Sequence, residues 1–284
     1  MKEEQMLKEN VMSGKNESGS PTIFAEERKT QILKLLDSHG KIVVPELCEI
    51  FGVSASTIRN DLRDLENAGM LKRTHGGAIS STKMSHELLP MVKKSKMMRQ
   101  KAEIAAAALE LIEDGDTIAI LSGTTTFELI RLLDCRKNLT VILNDIHFAA
   151  WLEEHTDFTI IMLAGILRNH YHSIFSPVKN EILNIINIDK VFLSCNGFSI
   201  QKGITTPYLE SAVSVREVLD ASCSRYLLSD SSKMDIITFA KIADIREINL
   251  LITDSGIASE DLELLQQYTE VLIAPELRDE THNK

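Results

Sequence analysis

Residues 1–25 are polar, include Gly14, Gly19 and Pro21, and show no hydrophobic period, which describes a disordered tail. From Glu26 the pattern turns helical. Ile32, Leu33, Leu35 and Leu36 form an apolar stripe that Gly40 ends. Val44-Pro45 opens a second short helix carrying Leu47, Ile50 and Phe51, and Gly52-Val53-Ser54 makes a tight turn. A third helix is expected from Ala55 to about Ala68, stopped by Gly69, with Ile58, Leu62 and Leu65 at i, i+4 and i+7 on one face. The Ser54 hydroxyl suits its N-cap. Met70–Thr74 reads as a strand, Gly76-Gly77 as a turn and Ala78-Ile79 as a return strand.

Residues 80–96 are a polar, basic linker interrupted by Pro90. A long helix is expected from about Met97 to Ile112, with Ile104, Ala105, Ala108, Leu111 and Ile112 on one face. Beyond Asp114-Gly115, apolar runs alternate with helical patterns. Strands are expected at Thr117–Leu121, Leu139–Asn144, Phe158–Ala164, Lys190–Cys195, Arg225–Asp230, Leu250–Asp254 and Val271–Ala274. Short apolar strands separated by helices imply βαβ units and a mostly parallel sheet covered on both faces. The fold class is therefore α/β. A small helix-turn-helix unit over residues 26–79 precedes a larger α/β domain over 97–275 and a polar tail at 276–284.

The length of 284 residues agrees with two domains. No stretch approaches the roughly 18 consecutive apolar residues of a membrane span. The start has no apolar core of a secretory signal, so the cytoplasm is the expected compartment. Cys48, Cys135, Cys195 and Cys223 lie far apart without a C-x-x-C pair. They are expected to be buried thiols, without zinc, other metal or disulfide. The formal net charge of −10 argues, taken whole, against nucleic acid. Its distribution changes that. Residues 26–78 are balanced, 79–101 carry +5, and 102–284 carry −14. A neutral-to-basic front with an acidic body suggests a front with a partner of its own.

On the third helix, the face opposite Ile58 and Leu62 carries Ser56, Arg59, Asn60 and Arg63, with Thr57 beside them. Arg can donate two bonds to guanine, Asn can pair with adenine, and hydroxyls can meet base or phosphate. The first turn of such a helix faces the groove in a helix-turn-helix. Lys72, Arg73 and His75 on the following hairpin would form a wing against the DNA backbone or minor groove. In the body, strand Ile118–Leu121 runs into Ser122-Gly123-Thr124-Thr125-Thr126 and a helix expected at Phe127–Leu133. Amides and hydroxyls at a helix start, beyond the carboxyl end of a parallel strand, suit a phosphate. They equally suit an ordinary capped turn. No G-x-x-x-x-G-K-[ST] or G-x-G-x-x-G is present, so no nucleotide cofactor is expected. Further polar residues stand at other strand ends: Asn144 and Asp145, Gly165 and Arg168, Asn196 and Gly197, Gly203, Thr205 and Thr206 with Glu210, and Lys233. Together they would suit a small polyol phosphate.

The segment Arg28–Ile79, centred on VSASTIRNDLRDLENAGMLKRTHGGA, resembles the DNA-binding domain of the DeoR family of bacterial transcriptional regulators. The segments EDGDTIAILSGTTTFELI, LAGILRN, KGITTPYLESA, LLSDSSKM and LLITDSG extend the resemblance over roughly 97–275. It implies a winged helix-turn-helix, with Ser54, Ser56, Thr57, Arg59, Asn60 and Arg63 at the operator and Lys72 and Arg73 on the DNA backbone. It also implies a sensor domain similar to ribose-5-phosphate isomerase that binds phosphorylated sugars or related metabolites. The chain departs from the family pattern in three places. It has Ser194-Cys195-Asn196-Gly197 where G-A-x-G is frequent, Arg216 where a Lys is frequent, and Phe175-Ser176-Pro177 after the Leu-Ala-Gly segment. His170, Tyr171 and His172 are unusual and would shape a different effector pocket.

The expected partners are double-stranded operator DNA, a small-molecule effector and a second copy, as homodimer or homotetramer, repression being the commoner family pattern. The alternative is a sugar-phosphate isomerase with an accessory DNA-binding domain. Isomerisation needs a base and an acid at the carbon centre. Asn196 cannot be a base at neutral pH, and Glu210 has no evident acidic partner nearby in sequence. A non-enzymatic regulator is the reading preferred on these residues.

Overall fold

The computed structural model describes residues 25–39, 41–67, 71–74, 76–79, 97–176 and 178–277. The expected tail before Ala25, the linker 80–96 and residues 278–284 lie outside this set. So do Gly40 and Gly69 as helix stops, His75 on the wing, and Pro177. The described residues fall into two units, one on either side of the stretch 80–96.

The front unit runs α1 (Ala25–His39), β1 (Lys41–Val43), α2 (Val44–Phe51), α3 (Ala55–Asn67), β2 (Lys72–Thr74) and β3 (Gly77–Ile79). Ala25, expected in the tail, is the first residue of α1. Pro45 suits the first turn of α2, where an amide would have no intrahelical partner. Gly52 ends α2 in the left-handed region, φ 64°, and its amide donates to the Cys48 carbonyl, 2.9 Å away. Twelve apolar side chains are buried together here, among them Ile32, Leu36, Leu47, Phe51, Ile58 and Leu62. The wing has three strands, ordered β1-β3-β2 and antiparallel. Strand β1 was not evident in sequence, because Lys41-Ile42-Val43 is too short to show a period.

The rear unit holds a seven-stranded parallel sheet. Its strands are β4 (Thr117–Ile120), β5 (Thr140–Leu143), β6 (Thr159–Met162), β9 (Ile188–Leu193), β12 (Ser222–Leu228), β14 (Leu250–Thr253) and β15 (Glu270–Ile273), ordered β15-β14-β12-β9-β4-β5-β6. Each overlaps an expected strand. Their apolar runs are continuous because both sheet faces are covered. On one face, Ile104, Ala105 and Ala108 of α4 (Met98–Leu109) pack with Leu129 and Ile130 of α5 (Thr124–Ile130) and Phe148 of α6 (Ile146–His155). On the other, Val215, Val218 and Leu219 of α7 (Leu209–Asp220) pack with Val191, Leu227 and Leu251. Helix α4 ends at Leu109, short of the expected Ile112. Helix α8 (Ser259–Leu265) precedes β15.

Two small sheets were not legible in the sequence. Strands β10 (Gly197–Ser199), β11 (Gly203–Thr206) and β13 (Ala240–Ala243) form an antiparallel sheet in that order, so the Gly203–Thr206 segment, expected as a loop, is a strand. Strands β7 (Ile166–Leu167) and β8 (Ile174–Phe175) make a short hairpin. The cysteines also differ from expectation. Cys135 and Cys223 are exposed and Cys48 and Cys195 half-buried, and all four are thiols outside any disulfide. No helix among the described residues is long and apolar enough to cross a membrane.

Candidate functional site

In the front unit, α3 buries Ile58, Leu62 and Leu65 and exposes Ser56, Arg59, Asn60 and Arg63 on its other side, with Thr57 half-buried. The helix start is fixed by hydroxyls. The Thr57 amide donates to Ser54 Oγ at 3.2 Å, and the Ser54 hydroxyl bonds those of Ser56 at 2.7 Å and Thr57 at 2.9 Å. Ser54, Ser56 and Thr57 thus form one polar cluster at the helix N-terminus, one turn from Arg59 and Asn60.

Sequence reading missed what holds this helix in place. Asp61 is buried and takes two bonds from Arg28 of α1, Nε to Oδ2 at 2.6 Å and Nη2 to Oδ1 at 3.2 Å. The signal was a carboxylate on the apolar side of the helix, but its partner is 33 residues away. Lys72 is exposed on β2. Arg73 is more occupied than expected. Its amide donates to Glu66 Oε1 at 2.8 Å, and its Nε lies 3.1 Å from Glu66 Oε2. Glu66 therefore ties the wing to the end of α3, and Lys72 is the wing cation with the freer reach.

In the rear unit, a cavity of about 400 Å³ opens at the carboxyl ends of β12, β9, β4 and β5. From the β4 end it is lined by Ser122, Gly123, Thr124 and Thr125, and from the β5 end by Asn144 and Asp145. The β9 end supplies Ser194, Cys195 and Asn196, and the β12 end Ser229, Asp230, Ser232 and Lys233. Thr206 of β11 and Ser211 of α7 also face it. Nine of the expected effector residues are thus brought together: Ser122, Gly123, Thr124, Thr125, Asn144, Asp145, Asn196, Thr206 and Lys233.

The other expected residues lie elsewhere. The helix of the β4 loop starts at Thr124, not Phe127. Thr126 is fully buried, with its hydroxyl donating to the Leu121 carbonyl at 2.7 Å, so it caps the turn. Thr205 is also turned inward, donating to the Gly197 carbonyl and accepting from the Thr238 amide. Gly165, Gly197 and Gly203 sit where a side-chain carbon would stand 2.4, 2.2 and 2.1 Å from the carbonyl oxygens of Phe175, Ile236 and Ala243; they are there for backbone packing. Glu210 is exposed on α7, outside the cavity lining. Arg168 is held between two tyrosine rings.

The cavity adds groups that strand-end reading did not collect. Lys101 reaches it from α4, 96% buried. Phe127 and His147 stack at 4.5 Å, and His147 and His172 lie 5.6 Å apart, forming a ring wall beside Asp145. Of these only His172, with Tyr171, stood out in the sequence. The loops are internally braced. Asn144 Oδ1 accepts from the Ser122 amide at 2.7 Å. Asp254 accepts from the Ser231 amide at 2.7 Å, the Ser231 hydroxyl at 2.9 Å and the Gly256 amide at 3.0 Å, which sets the loop carrying Lys233. Asp145 caps α6, accepting from the amides of His147 and Phe148. Burial pushes its pKa above the usual 3.8, against the opposing pull of Ser122, those two amides and His172. Among the described residues, no group of three or more His, Cys, Asp or Glu is placed to hold a metal ion.

Residues 28–84 match the family model of the DeoR-like helix-turn-helix domain, and residues 96–255 match that of the DeoR C terminal sensor domain. A putative aga operon transcriptional repressor of Escherichia coli is 30% identical over 259 residues, 90% of this chain and 96% of that protein. A lactose phosphotransferase system repressor of Staphylococcus epidermidis is 32% identical over 250 residues, 87% of this chain and 98% of that protein. Among solved structures, a ribose 5-phosphate isomerase A from Methanocaldococcus jannaschii is 15% identical, covering 49% of this chain and 55% of that one, with a TM-score of 0.38.

Proposed function

The chain belongs to the DeoR family of DNA-binding transcriptional regulators, and we propose that it represses a carbohydrate-metabolism operon until a phosphorylated sugar or related metabolite fills its rear cavity. The observation that carries this reading is the cavity itself. Ser122, Gly123, Thr124 and Thr125, with Lys233 across the β9 end, line one enclosure at the carboxyl edge of a parallel sheet. The phosphate is assigned to Ser122–Thr125 and Lys233, and the hydroxyl-bearing end to Asn144, Asp145, Asn196 and Thr206. Ser56, Arg59, Asn60 and Arg63 read the operator, while Lys72 meets the DNA backbone.

The active species is a homodimer or homotetramer, since symmetric oligomers suit two-fold operators. The effector acts through its differential affinity for the operator-bound and free arrangements, and by no more than that difference.

Catalysis is not part of this reading. Glu210 lies outside the cavity lining and Asn196 cannot take a proton, so neither position supplies the base of an isomerase. Incubation with ribose 5-phosphate and similar sugars tests this: no conversion is expected, and turnover would replace the regulator reading with the isomerase one.

The direct test is a thermal-shift screen of the full chain against sugar phosphates, followed by operator release. Binding of one of them should raise stability. Thr125→Ala combined with Lys233→Ala should abolish that shift and leave effector-free operator binding intact. An unchanged shift in the double variant would remove these residues from the phosphate site.

A further inference from the structure

Arg168 was expected to touch the effector, yet it does not line the cavity. Its guanidinium carbon lies 3.5 Å from the ring centroid of Tyr171 and 3.6 Å from that of Tyr208. One planar cation is thus stacked between two aromatic faces, an attraction that strengthens as water is excluded. The two tyrosines belong to different parts of the unit. Tyr171 sits at the tip of the β7–β8 hairpin, and Tyr208 directly precedes α7. Tyr171 lines the cavity and Tyr208 does not.

The hairpin is a wall of that cavity, through Tyr171, His172, Ser173 and Phe175. At one end it is stitched to the end of β5: the Ile174 amide donates to the Asn144 carbonyl at 2.7 Å, and the Ile146 amide to the His172 carbonyl at 2.9 Å. Its tip holds two non-glycine residues in the left-handed region, His170 at φ 67° and His172 at φ 60°. Such backbone persists only where its surroundings impose it. On the side away from β5, the Arg168 stack ties the tip to the residue before α7, and the Ser176 amide donates to Ser214 Oγ of α7 at 2.9 Å.

We propose that Arg168 is a positioning residue: clasped between Tyr171 and Tyr208, it holds the β7–β8 hairpin closed as a wall of the effector cavity and so sets both ligand affinity and access to the interior. Its ligand arm rests on the sugar-phosphate reading above; its access arm does not. A guanidinium that instead contacted ligand would depend on its charge and would be indifferent to Tyr208. A clasp depends on the planar stack and couples the two positions.

The access arm uses Cys195, a half-buried thiol outside any disulfide that lines the same cavity, with the exposed Cys135 and Cys223 as internal references. The full chain is treated with iodoacetamide, and the modification rate at each cysteine is read by peptide mass mapping. Arg168→Lys and Tyr208→Ala should each speed Cys195 modification about fivefold or more and leave Cys135 unchanged. Tyr208→Phe, which keeps the ring face, should behave as wild type. In the ligand arm, the sugar phosphate selected by the thermal-shift screen should bind the same two variants about tenfold more weakly. The combination should be no weaker than either alone, and Tyr208→Phe should again match wild type.

Cys195 rates equal in wild type and Tyr208→Ala would overturn the clasp. So would additive losses at 168 and 208, or a Tyr208→Phe variant as impaired as Tyr208→Ala. A clasp that served stability alone would lower the melting temperature without moving either rate or affinity at lower temperature, and that too would overturn the proposal. If wild type binds no sugar phosphate but the Cys195 pattern holds, the effector reading fails and the clasp stands.

Discussion

The Arg28–Asp61 pair anchors the recognition helix to α1, and Arg28→Met isolates its worth. Both side chains are under a tenth exposed, 8% and 6%, and the contact is two-pronged. Methionine fills a similar volume but strands the Asp61 carboxylate in the core. Removing one partner of a buried pair costs about 3–5 kcal/mol. A unit of this size has a total stability of roughly 3–8 kcal/mol, at about 0.05–0.15 kcal/mol per residue. Most of the front unit's margin should therefore disappear. Replacing both groups, Arg28→Met with Asp61→Leu, should recover most of the loss, since apolar packing of similar volume often matches a buried ion pair. The assay is denaturation of the full chain. The single tryptophan, Trp151, reports the rear unit by fluorescence, and far-UV circular dichroism reports both units. Arg28→Met should melt the front unit early with the Trp151 transition unmoved. A front transition within about 1 kcal/mol of wild type, or a double variant as unstable as the single, would refute the anchoring role.

Arg59→Ala should weaken operator binding by about 1–3 kcal/mol in fluorescence anisotropy and relax preference at one base position; a change confined to salt dependence would make Arg59 a backbone contact instead. Lys72→Ala should weaken binding similarly on operator and random DNA and reduce the slope of log affinity against log salt by about 1. Asp145 gives a pH prediction. Its raised value means the folded chain holds this proton more tightly than the unfolded chain does. The stabilising term is full below 3.8 and is lost as pH rises through the higher folded value. Asparagine keeps the helix cap and cannot ionise. Asp145→Asn should therefore gain stability on wild type as pH rises above 3.8 in Trp151-monitored denaturation; a difference independent of pH would remove burial of the charge as its cause.

Much of the architecture was written locally. The seven sheet strands were legible because a parallel strand buried on both faces is an unbroken apolar run, and Ile58, Leu62 and Leu65 announced their helix by spacing alone. Strand-end polar residues were legible as candidates for the same reason: the ends of legible strands can be counted. Strands β7, β8, β10 and β11 were not: none is the core of a longer apolar run, and only their pairing makes them strands.

The sequence by itself determined a two-part chain, a helix-turn-helix with a polar outer face, and an α/β body with polar turns at its strand ends. The three-dimensional fold decided which of those turns share a cavity. It brought in Lys101 and His147, turned Thr126 and Thr205 inward to satisfy backbone carbonyls, and set Gly165, Gly197 and Gly203 against neighbouring backbone. It also joined Arg28 to Asp61 and stacked Arg168 on Tyr208, contacts that span 33 and 40 residues of chain. Hydrophobic periodicity is a property of neighbours in sequence. The direction a polar side chain takes depends on which carbonyl, ring or countercharge the folded sheet places beside it, and no local pattern carries that information.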